Sequence, residues 1–195
     1  MSIQFKTLAA ASLLFSAVAA HAGIVTFSPL TSPGDGIVGN GSTYSEADLT
    51  FTSTPGGALY HWGNNTRNAD ATGATLFQNI PGTGIAITKT GGGSFFLDAF
   101  DLAEVYNDAA TGTIAYSYVD GTGTHTGSLT LDKLKGLQTF KFGFSVTSFT
   151  LTQNSPYFQL DNVKYNGNTV PEPSSLALIG LALAGLGLTA RRIRR

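Results

Sequence analysis

The stretch Thr113-Ile114-Ala115-Tyr116-Ser117-Tyr118-Val119-Asp120-Gly121 decides the fold. Ile114, Tyr116 and Tyr118 lie on one side of an extended chain, and Thr113, Ala115 and Ser117 lie on the other. That period of two is the mark of a strand with one buried face. Asp120-Gly121 then supplies the left-handed conformations of a tight hairpin, and a second run from His125 to Leu131 follows it. Downstream, Phe140, Phe142 and Phe144 alternate with Thr139, Lys141 and Gly143, and the pairs Phe149/Leu151 and Phe158/Leu160 keep the same period. Upstream, strands are expected over Ile24–Ser28, Leu49–Ser53, Ala58–Trp62, Ile85–Thr90 and Ser94–Asp101, while Leu102–Asn107 reads as one helical turn. The pattern predicts an all-β body: a two-sheet antiparallel β-sandwich, jelly-roll-like rather than a barrel.

Composition agrees and excludes a good deal. The 195 residues include 24 glycines, 13 phenylalanines and 7 tyrosines but only 12% charged side chains. Such a chain can bury a core and is not a disordered one. A net charge of −1 offers no surplus for a polyanion, so nucleic acid is not an expected partner. The absence of cysteine removes disulfides, thiolate zinc sites and cysteine nucleophiles.

Both ends differ from the middle. Residues 1–22 carry Lys6, an apolar run from Leu8 to Ala20, and the small residues Ala20 and Ala22 on either side of His21. This is the layout of a secretory signal peptide, to be cut by signal peptidase before Gly23 after passage through the secretion machinery. Residues 23–169 then form the β-sandwich domain. Residues 170–195 hold Val170-Pro171-Glu172-Pro173, a transmembrane helix over residues 174–190, and a tail with Arg191, Arg192, Arg194 and Arg195. The apolar part, Leu176–Ala190, spans roughly 22 Å as a helix, against roughly 30 Å of hydrocarbon. Its anchoring is marginal and suits temporary residence. The four arginines stay on the cytoplasmic side and stop transfer, which leaves the body outside. Pro171 and Pro173 hold the chain before the helix extended, the form a processing enzyme needs.

These last 26 residues, the Val-Pro-Glu-Pro-Ser-Ser run, the Leu/Ala/Gly-rich helix and the terminal arginines, resemble the PEP-CTERM sorting signal of Gram-negative bacteria. The resemblance implies recognition by an exosortase, a membrane-embedded cysteine transpeptidase-like enzyme, and cutting near Pro-Glu-Pro. It also implies a transient stay in the inner membrane and delivery to the cell surface or extracellular matrix. The closing strand Phe158–Val163, so near the sorting signal, is similar to the end of PEP-CTERM proteins with jelly-roll bodies and of carbohydrate-binding modules of like architecture. That similarity implies a structural calcium on Asp161 with Glu46 or Asp48.

Chemistry within the body is sparse. Only His61 and His125 remain after export, and no nucleophile elbow or paired-histidine zinc motif surrounds them. Gly91-Gly92-Gly93 lacks the lysine of a phosphate loop. Asp98 and Asp101, three apart in a strand, are expected on opposite faces, so they make no dyad. No enzyme is expected. Tyr60, Trp62, Asn64 and Asn65 bring the single tryptophan beside amides, the composition of a sugar site. The expected role is therefore noncatalytic: carbohydrate binding, or structure in a biofilm matrix of extracellular polysaccharide. The alternatives are an envelope polysaccharide hydrolase with a carboxylate pair and a protein-binding adhesin.

Overall fold

The computed structural model describes residues 22–34, 36–152 and 157–166. The sorting segment and the signal peptide other than Ala22 lie outside them. Among the described residues no helix is long and apolar enough to cross a membrane.

Among the described residues thirteen strands follow one another: β1 (Gly23–Val25), β2 (Ile37–Gly39), β3 (Thr43–Glu46), β4 (Leu49–Thr54), β5 (Leu59–Trp62), β6 (Leu76–Gln78) and β7 (Gly84–Lys89), then β8 (Phe95–Glu104), β9 (Thr113–Asp120), β10 (Gly123–Thr130), β11 (Gln138–Val146), β12 (Ser148–Thr152) and β13 (Phe158–Tyr165). They build two open antiparallel sheets. One runs β11-β8-β13-β6-β5-β2, with β1 added beside β13; the other runs β10-β9-β12-β7-β4-β3. The hairpin expected at Asp120-Gly121 forms, with Asp120 opposite Gly123.

Each sheet turns its apolar side chains to the other. Phe51, Ile85, Ile87, Phe149 and Leu151 of the second sheet meet Leu59, Leu76, Phe100, Leu102, Phe158 and Leu160 of the first in one core. Phe100 and Phe149 touch edge-to-face across it at 5.5 Å. Phe140, Phe142 and Phe144 join only from the rim, because β11 is an edge strand and its outer flank is open.

Two expectations are corrected by β8. Leu102–Asn107 is not a helical turn: the strand continues to Glu104 and only then turns. Leu102 belongs to the sandwich core, so extension buries it where a helix would not. Asp98 and Asp101 also share a side. The core residues of β8 are Phe95 and Leu97, then Phe100 and Leu102, so the alternation slips by one residue between Leu97 and Phe100. Pairing with β11 and β13 shifts register over the same stretch. A bulge of this kind re-aims side chains, and it puts both aspartates on the face away from the core.

Candidate functional site

That outer face of the first sheet carries a second, smaller core and, above it, a groove. Trp62 stacks on Phe77 at 5.3 Å and 22°, with Val105 beside them and Tyr60 and Tyr157 packed around. Trp62 is 2% exposed and its indole N–H donates to the Val105 carbonyl at 2.7 Å, which satisfies the ring's one polar group.

Residues 63–75 close over this cluster, and Gln159 of β13 holds them down. Its buried amide oxygen accepts from the Ala69 N–H at 3.1 Å and from the Thr75 hydroxyl. Its NH2 donates to the carbonyls of Arg67 at 2.6 Å and of Glu104 and Val105 at 2.9 Å each. One side chain thus satisfies backbone groups from the loop and from the end of β8. Buried Asn68 does the same inside the loop, donating to the Gly73 carbonyl at 2.9 Å and accepting from the Asp70 N–H. Gly63 starts the loop where nothing larger fits, since a Cβ there would lie 1.7 Å from the Gly34 carbonyl oxygen.

The turn after β8 supplies the other wall. The Glu104 carboxylate accepts from the N–H groups of Tyr106 at 2.7 Å and Asp108 at 3.2 Å. Asn107, left-handed at φ 57°, donates to the Thr66 carbonyl at 3.2 Å and accepts from the Gly136 N–H at 2.7 Å. It ties the 63–75 loop, the β8–β9 turn and the β10–β11 loop together.

Between these three segments lies an open groove of about 530 Å³, lined by Thr66, Arg67, Tyr106, Asp108 and Lys135. The Arg67 guanidinium sits 5.4 Å from the Trp62 ring centroid and 5.5 Å from that of Tyr106. The two rings, 6.0 Å apart, hold the cation by its attraction to their faces. Tyr106 is 44% exposed, and Lys135 and Asp108 form an exposed ion pair at 3.9 Å.

The residues expected at a sugar site therefore divide. Trp62 is core and offers no open face. Tyr60 is half-buried against Phe77 at 6.0 Å. Asn64 is exposed on the loop, and Asn65 caps it by accepting from the Arg67 N–H at 2.7 Å. The groove proper is formed by their neighbours Thr66 and Arg67 and by Tyr106, Asp108 and Lys135, which lie far along the chain. Arg67 alone had a visible signal, as the single arginine between residues 23 and 169.

Comparison with known proteins bears chiefly on the C-terminus. Residues 169–195 match the model of the PEP-CTERM protein-sorting motif. The chain carries a PEP-CTERM sorting signal. No curated protein matches the chain. Two solved structures overlap part of it loosely, each at 14% identity and a TM-score of 0.34. One is CpGH89CBM32-5 from Clostridium perfringens in complex with GalNAc-β-1,3-galactose, the match covering 58% of this chain and 94% of that one. The other is the enzymatically active domain of bacteriophage CBA120 tailspike protein 4, covering 61% of this chain and 19% of that one. Superposition that loose says nothing about ligand or activity. The PEP-CTERM motif implies export, transient membrane sorting and recognition by an exosortase.

Of the acids named for calcium, Glu46 is within electrostatic reach of Asp161, and Asp48 lies in the exposed β3–β4 turn. Among the described residues no three His, Cys, Asp or Glu side chains are grouped to hold a metal ion. Glu46 accepts from the Thr26 N–H at 3.1 Å and the Tyr44 hydroxyl at 2.8 Å, and Asp48 is exposed in the β3–β4 turn. Asp161 is fully buried, accepts from the Asn162 N–H at 2.7 Å, and feels Asp70, Asp101 and Glu46. Burial first, and those carboxylates second, push its pKa up to about 8.

Proposed function

We propose that the chain is exported, held briefly in the inner membrane, cut by an exosortase near Pro171-Glu172-Pro173, and delivered to the cell surface or extracellular matrix. There the β-sandwich serves as a noncatalytic carbohydrate-binding or matrix module. The sorting motif carries the first part. The groove supports the second: an exposed aromatic ring beside an oriented cation, with Thr66, Asp108 and Lys135 around them, can meet both the ring face and the polar groups of a saccharide.

A hydrolase has less support. Glycoside hydrolysis uses two carboxyl groups flanking the bond, and the groove lining contributes one, Asp108, which faces Lys135. Asp161 has the raised pKa of a general acid, yet it is sealed from substrate.

The test is intact mass on protein from the native host's membrane and extracellular fractions, with co-sedimentation of the released form on the host's extracellular polysaccharide. A species starting at Gly23, ending between Pro171 and Ser175, and sedimenting with polysaccharide is the expected result. A membrane form that retains Arg195 while the processing machinery is active overturns the sorting reading. A released form that ignores every polysaccharide overturns the binding reading.

A further inference from the structure

Resting on the carbohydrate-binding reading, we infer that the groove selects an acidic saccharide, its carboxylate seated on Arg67 and its ring against Tyr106. The argument begins with what holds Arg67. Ring faces attract a guanidinium without occupying its N–H edges, so the planar fork stays available while its orientation is set. Among the described residues the ion pairs are His125–Asp120 and Lys135–Asp108, and Arg67 is in neither. The one carboxylate in the lining is thus balanced by Lys135, and the Arg67 charge is left over for a ligand.

A cation already ordered by two rings gives up little side-chain freedom on binding, and a carboxylate matches its fork with two parallel hydrogen bonds. Tyr106 stands next to it, 44% exposed, where the apolar face of a sugar ring can lie. The β10–β11 loop brings Lys133 and Lys135, so three of the six basic side chains between residues 23 and 169 belong to the segments around this groove. The same segment has eleven acids, and its net −5 (six minus eleven) opposes a polyanion from afar. That repulsion fades beyond about 8 Å at physiological salt, whereas contact with Arg67 does not.

The full chain in detergent micelles, titrated calorimetrically at physiological ionic strength with polygalacturonate and with its fully methyl-esterified form, separates charge from sugar. The acid polymer is expected to bind about tenfold more tightly, Arg67→Gln to abolish the preference, and Arg67→Lys to retain only part of it. Tyr106→Ala is expected to weaken both polymers. Unchanged melting temperatures exclude misfolding at these exposed positions. Equal binding of the two polymers, or an undiminished preference in Arg67→Gln, overturns the acidic selectivity and leaves carbohydrate binding standing. Binding to neither polymer, nor to the host's own neutral and acidic polysaccharides, overturns both.

Discussion

At the residue scale the described side chain under most tension is Asp161. A carboxyl group with no exposure, one short hydrogen bond and three acids around it favours its proton. Its folded pKa of about 8 lies above the unfolded value, so the stability it allows is complete below about pH 4 and is lost as pH rises through 8. His61 slopes the other way. It is buried with Nδ1 on Asn40 Oδ1 at 3.0 Å, and burial lowers its pKa below 6.5, so its contribution is lost as pH falls below that value. The two slopes oppose each other below pH 6.5, which leaves Asp161 to dominate between 6.5 and 8. Thermal melts across that window should show wild type losing about 2 kcal/mol while Asp161→Asn stays flat, one pKa unit being worth about 1.4 kcal/mol. Repeating the melts with calcium and with EDTA checks the cation: one that binds the Asp161 carboxylate flattens the wild-type slope, and no difference leaves the acid uncompensated. Asp161 was legible as an acid in the closing strand. Its burial was not, because it depends on which neighbours the bulge at Asn162 aims at it.

At the scale of elements the long alternating strands were legible and the short ones were not. β9, β10 and β11 each keep one face for the core over eight or nine residues, enough for a period to register. β2 is an exposed three-residue edge strand, and β6 is buried on both faces, so neither alternates. Burial of β6 on its outer face comes from Trp62, Val105, Tyr60 and Tyr157 packed around Phe77, contacts no local pattern encodes. The same reason hid the groove: its walls come from residues about 30 to 70 positions apart, joined by Gln159 and Asn107. Gln159→Leu fills the space but strips partners from the Ala69 N–H and the Arg67 carbonyl, each orphan costing about 1–3 kcal/mol, while Thr75 keeps Asn68 and the Glu104 carbonyl keeps the Asn107 N–H. A loss of about 3 kcal/mol is expected, with hydrogen exchange speeding at Ala69 while the β9–β12 amides stay protected. Equal loss of protection in both sheets would show instead that the loop and sandwich unfold as one unit. Gly63→Ala tests the same wall from below: its methyl group must displace the Gly34 carbonyl, so the loop should loosen and Trp62 fluorescence shift with little change in the sandwich.

At the scale of the whole molecule, the proposed sorting rests on two devices with little energy to spare, the short apolar stretch and the arginine tail. In the proposed sorting the body is held at the membrane only if the last five residues stay behind, and the apolar stretch cannot ensure that by itself. Six leucines and an isoleucine in Leu176–Ala190 favour insertion by only about 2–4 kcal/mol, less what the glycines and Thr189 subtract. Each arginine costs about 2.5–3.5 kcal/mol to bring to the bilayer centre, so the four together form the barrier to complete transfer. Replacing Arg191, Arg192, Arg194 and Arg195 with glutamine keeps the length and polarity but removes that barrier. The variant should then pass through unprocessed and gather in the soluble exported fraction, its intact mass still including the glutamine tail. A helix lengthened by five leucines in the same variant should restore membrane retention, because added apolar length replaces the missing charge. If the glutamine variant is instead cut near Pro171-Glu172-Pro173 as efficiently as wild type, the motif and helix suffice for the exosortase, and the arginines serve orientation alone.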